Sequence, residues 1–408
     1  MSSPRPEVIH VVGTGLDPGR LHPDLAALVE KAEVLAGGER LLEAFPLHPA
    51  IRLPIRAPVS AAVDAVDRES RSGRRVVVLA DGDPGFFGIG RRLIQALGVD
   101  RVRLHPNVTV LQTAAARIGT PWEDIRVVSL HGRSDLWPLR RNLAMGYRVG
   151  VYTDPSFHPA EIARNLIACG VEGHGMVVFE DLELPSERTR SFDDLSRVAG
   201  ESFSALSFVL LERLGPAELP PVLGLRDDEI LHERGLITKQ EVRAVGLSLL
   251  RVEPGHVVWD LGSGSGAVAI EASRMAREGM VFAVEQNTER VERIRSNVRR
   301  AGAYVVEAIH GTMPGCLEGL PDPDRVFLGG GAGGKGVLEV ILNRLRPGGR
   351  LVIHVVLLGS LERARNLLEA SGWHPDVTQV QIQRSRPLSG DLRLEARNPV
   401  FVLSAEKP

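Results

Sequence analysis

Val257-Val-Trp-Asp260-Leu-Gly-Ser-Gly-Ser-Gly266-Ala-Val-Ala-Ile-Glu271 is the stretch that decides the fold. An apolar run, three glycines at alternate positions and an apolar helical opening read as strand, tight turn and helix. Glycine is required there because some turn positions need φ > 0 and because a missing Cβ lets a ligand lie against the backbone. The helix that follows offers unsatisfied N–H groups in its first turn. The next strand, Met280-Val-Phe-Ala-Val-Glu285, ends in a carboxylate 25 positions after Asp260. At that place a carboxylate accepts hydrogen bonds from ribose hydroxyls.

A dinucleotide enzyme would share that acid. Asp260 ahead of the glycines, and the spacing Asp-x-Gly-x-Gly-x-Gly rather than Gly-x-Gly-x-x-Gly, favour an S-adenosylmethionine (SAM)-dependent methyltransferase over an NAD-linked oxidoreductase. Upstream, Gly235-Leu-Ile-Thr-Lys-Gln-Glu241 precedes a helix carrying Val242, Val245, Leu249 and Leu250 at helical spacing. Thr238 and Glu241 fit a capping box; the alternative is a turn that covers the ligand of the glycine loop. Downstream, Val305–Ile309 and Asp324–Leu328 are the third and fourth strands, the former followed by His310-Gly-Thr-Met-Pro314. Gly329-Gly-Gly-Ala-Gly-Gly-Lys-Gly336 matches seven positions of a P-loop, but Gly336 stands where the Mg²⁺-binding Ser or Thr belongs. It reads instead as a glycine-rich lip. Arg350–Val356 is a fifth strand, and Val377–Arg384 with Pro399–Leu403 predicts a closing hairpin.

The first half repeats the strand, turn and helix logic. Val8–Val12 runs into Gly13-Thr-Gly-Leu-Asp17-Pro-Gly19, and Val76–Ala80 runs into Asp81-Gly-Asp-Pro-Gly-Phe-Phe-Gly88. The second turn sets two carboxylates at the carboxyl end of a buried strand, where open α/β sheets bind ligands; a capped tight turn is the plainer reading. Strand candidates at Val108–Leu111, Ile125–Leu130, Gly150–Tyr152 and Met176–Phe179, alternating with helices such as Ala160–Ala168, predict a mainly parallel sheet with helices on its faces. His131 and Arg133 follow one strand end, as site residues or as a solvated pair. Gly215–Leu225, with three prolines and two glycines, reads as the linker.

A length of 408 residues makes two domains the expectation, and 43% hydrophobic with 25% charged residues is ordinary for a globular protein. A net charge of −2 argues against broad nucleic-acid binding. Cys169 and Cys316 support neither a disulfide framework nor a cysteine-rich metal site. The opening residues lack a signal-peptide pattern, and no apolar run reaches the ~20 residues of a membrane helix. A cytoplasmic enzyme is expected.

Gly13-Thr-Gly15, Asp81-Gly-Asp-Pro84 with Gly88, Pro121-Trp122, Ser129-Leu-His-Gly-Arg133 and Thr153-Asp154 together resemble the tetrapyrrole methylase family, in its cobalamin-pathway branch that methylates precorrin C5. One departure is the first loop, Gly13-Thr-Gly-Leu-Asp-Pro18, where many members have Gly-Pro-Gly-Asp-Pro. Gly235-Leu-Ile-Thr-Lys239, Glu241-Val-Arg243, Trp259–Gly266 and Phe327-Leu-Gly-Gly330 resemble the domain that methylates a precorrin at C15 and decarboxylates its C12 acetate.

The resemblance implies an α/β chain with a tetrapyrrole methylase (class III methyltransferase) fold over 1–214, a linker over 215–227 and a Rossmann-like class I methyltransferase fold over 228–408. It implies one SAM site per domain and no metal. Gly262, Gly264 and Gly266, with Ser263 and Ser265 in the same loop, would meet the amino-acid end of one cofactor. Glu285 would take its ribose, and Thr238, Thr312 and Met313 its remaining surface. Asp81, Gly82 and Asp83 would hold the other SAM.

The substrate is expected to be a polycarboxylate macrocycle, so cations are sought. These are His131 and Arg133 in the first half, and Lys239, Arg243, Arg384 and Arg386 in the second, with solvated surface charges as the plainer reading. Neither nucleic acid nor membrane is an expected partner, and a homo-oligomer is. A protein or RNA methyltransferase, an NAD-linked oxidoreductase and a non-catalytic binding module are the alternatives. A missing basic stripe disfavours RNA, and two ligand-type loops disfavour the binding module.

Overall fold

The computed structural model describes residues 6–132, 135–220, 222–233, 235–330 and 334–408. The first sheet comprises β1 (Ile9–Gly13), β2 (Val34–Gly37), β3 (Ile51–Pro54), β4 (Val76–Ala80) and β5 (Val102–His105), in the order β3-β2-β4-β1-β5. All its pairings are parallel. Every residue of β4 is buried, as a continuous Val-rich run requires of a strand covered on both faces.

The second sheet comprises β6 (Ile125–Ser129), β7 (Arg148–Tyr152), β8 (His174–Glu180), β9 (Arg188–Phe192) and β10 (Ser207–Arg213), in the order β6-β7-β10-β8-β9. Here the sequence expectation fails, because only β6 and β7 pair in parallel. The connection from β8 to β9 is too short for a crossover helix and can only close an antiparallel pair. Val108–Leu111, expected as a strand, instead opens the helix Val110–Arg117. Thr109 and Gln112 cap each other there in a reciprocal box, and that local bond outweighs the β-branched run.

The third sheet takes β11 (Val257–Leu261), β12 (Met280–Glu285), β13 (Val306–His310), β14 (Arg325–Leu328), β15 (Arg350–Val355), β16 (Asp376–Val380) and β19 (Val400–Glu406). Its order is β13-β12-β11-β14-β15-β19-β16, with the two tail strands antiparallel. The predicted closing pair therefore forms, and a second hairpin, β17 (Gln383–Leu388) with β18 (Asp391–Ala396), is inserted between its strands.

Tyr304 joins the second sheet to the third. It precedes β13 yet is wholly buried among the side chains of the second sheet. Its carbonyl accepts from Arg140 Nε at 2.8 Å and its hydroxyl donates to Glu172 O at 3.2 Å.

Candidate active site

A cavity of about 710 Å³ opens at the carboxyl ends of the third sheet's strands. The predicted residues Thr238, Gly262, Ser263, Gly264, Ser265, Glu285, Thr312 and Met313 all line it. Gly262 and Gly264 have φ of 70° and 60°. A Cβ on Gly262 would lie 2.8 Å from Gly330 O, whereas one on Gly264 would meet nothing within 4 Å. Gly262 is thus a glycine of close packing and Gly264 a glycine of open approach. Gly266, expected in the same site, is not among the residues lining the cavity. It caps the helix Ala267–Met275 at φ 80°, and a Cβ there would lie 3.1 Å from Ile294.

Asp260 fixes the turn from behind. Its Oδ2 accepts from Ser263 Oγ at 2.6 Å and from Ala269 N at 3.1 Å. Burial pushes its carboxyl up to about 7 against those two bonds, and the Glu285 charge adds to the rise. Glu285 is itself buried. Its oxygens accept from Gly264 N and Asn287 N, each at 3.0 Å, so the carboxylate is oriented before any ligand arrives.

The capping box predicted at Thr238 does not form. Lys239 is the N-cap of the helix Gln240–Leu250 and makes no side-chain bond there; Asp227 Oδ1 accepts from Gln240 N at 2.9 Å instead. Thr238 makes no such cap and lines the cavity. Its carbonyl is held by Arg243 Nη1 at 2.7 Å.

Arg243 is therefore not available to a substrate. It is fully buried, with Nε 2.8 Å from Glu271 Oε1. Arg384 binds Glu241 at 2.6 Å and Asp227 at 3.1 Å, and Arg386 binds Glu395 at 3.1 Å within the hairpin. Hydrogen bonding from Arg384 holds the Glu241 carboxyl below its usual range. Of the four candidate cations, Lys239 lines the cavity, and no carboxylate among the described residues pairs with it.

Three polar side chains lining the cavity were not predicted: Gln286, Arg290 and His354. Gln286 directly follows the ribose-type acid, and Arg290 lies in the first turn of the next helix, where it binds Glu233 at 3.0 Å. Their position after Glu285 was a usable signal. His354 sits within the apolar run of β15 and carried none. It meets Phe327 edge-on at 4.6 Å between centroids, and neither ring nitrogen has a partner. Burial lowers its pKa to about 4. Gly246 makes room for it, since a Cβ there would stand 2.5 Å from Nε2. Gly329, Gly330 and Gly334 also line the cavity, in keeping with a glycine-rich lip; residues 331–333 lie outside the described ones.

In the first half the two glycine turns bond to each other. Gly82 N donates to Gly15 O at 2.9 Å and Gly15 N to Gly82 O at 3.3 Å. Asp81 pairs with Arg40. Asp83 Oδ1 accepts from Gly85 N at 2.7 Å and so caps its own turn. His131 is exposed in the turn after β6, and Arg133 lies outside the described residues. Gly132 N donates to Asp154 Oδ2 at 3.2 Å. Burial works against the Asp154 charge, yet this bond and those from Phe157 and Ser156 hold its carboxyl low. The Asp83 turn and the end of β7 meet through Phe87 and Tyr152, 5.7 Å between rings. Among the described residues no cluster of three or more His, Cys, Asp or Glu could hold a metal ion, and no helix is long and apolar enough to cross a membrane.

Comparison with known proteins follows these divisions. Residues 8–193 match the Tetrapyrrole (Corrin/Porphyrin) Methylases and residues 229–407 the Precorrin methyltransferase domain. The chain is 34% identical to the precorrin-6Y C(5,15)-methyltransferase [decarboxylating] of a Sinorhizobium species over 351 residues, covering 85% of this chain and 84% of that one. The chain belongs to this family. The precorrin-6Y C(5,15)-methyltransferase of Mycobacterium tuberculosis is 31% identical over 409 residues, 98% of this chain and all of its own length. A crystal structure from Geobacter metallireducens bearing the family's name covers 46% of this chain and all of its own, at 39% identity and a TM-score of 0.44. The three sheets of this family member thus form a tetrapyrrole methylase unit followed by a Rossmann-like methyltransferase unit.

Proposed function

We propose that residues 1–214 methylate a precorrin at C5, and that residues 228–408, joined by the linker 215–227, methylate it at C15 and release CO₂ from the C12 acetate. The enzyme is a SAM-dependent methyltransferase of cobalamin biosynthesis. One observation carries this reading: kinship runs the full length of decarboxylating C5,15 relatives, 98% of this chain against all of the Mycobacterium protein.

The third sheet's cavity fits an adenosyl cofactor with an amino-acid tail, because an oriented carboxylate, a glycine turn open to approach, Thr238, Thr312 and Met313 line the same cavity. When bound, SAM supplies a methyl group already activated on sulfur. The protein's part is to hold, orient and exclude water, and such positioning is worth on the order of 7–11 kcal/mol in favourable cases. Glu285 accepts the ribose hydroxyls and the turn's N–H groups receive the tail. Lys239 takes a substrate carboxylate. In the decarboxylation the C–C bond to the carboxylate breaks, its electron pair passes into the conjugated macrocycle, and a proton replaces CO₂.

In the first half Asp81, Gly82 and Asp83 hold the second SAM, with His131 and Arg133 toward the substrate. The reaction is cytoplasmic and needs no nucleic acid or membrane. Exposed Leu388, Leu392 and Leu394 on the β17–β18 hairpin support a homo-oligomer, which sedimentation velocity reads directly.

Incubation with a precorrin-6B-like substrate and labelled SAM should transfer two methyl groups and release one CO₂. Any other ratio at completion overturns the reading. Glu285→Ala should weaken SAM binding at the second site by about 1.5–3 kcal/mol, as loss of bonds to a charged acceptor does. Calorimetric titration that finds the affinity unchanged removes Glu285 from the site.

A further inference from the structure

A second cavity, of about 340 Å³, lies in the seam between the second and third sheets, apart from the catalytic one. Arg140, from the helix Trp137–Ala144, lines one wall. Glu172 comes from the loop before β8, Arg295 and Arg299 from the helix Thr288–Ala301, and Glu307 from β13. Two of the three arginines are already engaged, Arg295 by Glu292 and Arg299 by Glu172. Arg140 is not. It is 7% exposed, its Nε is given to Tyr304 O, and its guanidinium stacks 4.2 Å from the Trp137 ring centroid. No carboxylate among the described residues lies within ion-pair distance of it, and its two terminal nitrogens have no partner there. Arg140 thus presents its charge to the cavity with no counter-charge from the described residues. The aromatic face and the Tyr304 carbonyl hold the planar fork in one orientation, the arrangement that favours two-point recognition of an oxyanion.

We propose that this seam cavity binds a small ligand through one carboxylate or phosphate group, received by the terminal nitrogens of Arg140. Glu307, which has no ion-pair partner among the described residues, repels a second negative charge, so the ligand carries a single anionic group. The cavity is too small for the macrocycle itself. Two chain segments serve both cavities: Glu307 and Ala308 precede Gly311 and Thr312 on one, and Arg295 and Arg299 share a helix with Arg290. The site is independent of which methyl transfer each half performs.

Titration of the full-length protein with acetate and, separately, with inorganic phosphate tests this at constant ionic strength, with chloride as the blank. Calorimetry should give saturable binding of one of them, with Kd on the order of 1 mM, and the bound ion should raise the melting temperature by mass action. Which ion binds separates a carboxylate ligand from a phosphate one. Arg140→Gln should weaken binding at least about tenfold, ~1.4 kcal/mol. Ala308→Leu, which fills the cavity and leaves the guanidinium intact, should do the same and serves if the first variant fails to fold. Binding of neither ion above the chloride blank, or binding that a folded variant retains undiminished, overturns the proposal.

Discussion

Arg243→Ala should destabilise the protein by about 3–5 kcal/mol, the cost of stranding one partner of a buried ion pair. Arg243 and Glu271 are both within the core, and Glu271 Oε2 has no partner of its own. Removing the guanidinium leaves a carboxylate with only the Leu225 N–H, 3.0 Å away, to stabilise it. It also releases the carbonyls of Leu225 and Thr238, which Arg243 holds, and Thr238 lines the catalytic cavity. Denaturant unfolding should show the loss, and SAM affinity should fall with it. The double variant Arg243→Met, Glu271→Leu removes the stranded charge and should recover most of the stability. A single variant that costs less than about 1 kcal/mol would mean that Glu271 finds another partner or a proton.

The second large effect is one of pH. The His354 pKa falls from the ordinary 6.5 to about 4 on folding, because burial disfavours its charged form. The unfolded chain takes up that proton below pH 6.5 and the folded chain does not. The stabilisation is therefore complete above pH 6.5 and is lost as pH falls toward 4, a change on the order of 3 kcal/mol. Asp260 runs the opposite way. Its folded carboxyl is raised to about 7 from 3.8, so the folded state binds more protons over that window and gains stability as pH falls. The overall profile is consequently flattened, and the His354 share is read as a difference. Wild-type protein should lose about 3 kcal/mol relative to His354→Gln between pH 7 and pH 4. A difference that does not change with pH would mean that His354 takes up its proton as readily in the folded chain as in the unfolded one.

Much of the second half was legible in the sequence because its signals are local. The turn after Asp260 and the acid ending β12 each fix a backbone position within a few residues, and the cavity is built around them. The errors share another cause. Thr238 and Glu241 have capping-box spacing, but Glu241 is claimed by Arg384, 143 residues away, and Asp227 caps the helix instead. Arg243 read as a substrate cation because its partner Glu271 lies on another helix. His354 offered no pattern, since its burial depends on Gly246 standing opposite. In the first half the run around Val110 has strand composition and a helix cap, and only the cap is satisfied by its own neighbours. The antiparallel second sheet follows from the place β10 takes between β7 and β8, which no short window contains.

The stretch between Arg213 and Gln240 has a further consequence for anyone dividing this protein. It is free of regular helix and strand among the described residues, and by composition it is the obvious place to cut. Leu219, Leu225 and Ile230 are nonetheless buried members of the third sheet's core, and Leu219 N donates to Arg300 O at 3.1 Å. The joint is interior wall rather than tether. A fragment beginning at 228 leaves two of those three plugs behind and should unfold at lower denaturant than one beginning at 215, so a gene for the C-terminal half alone has to start upstream of Leu219.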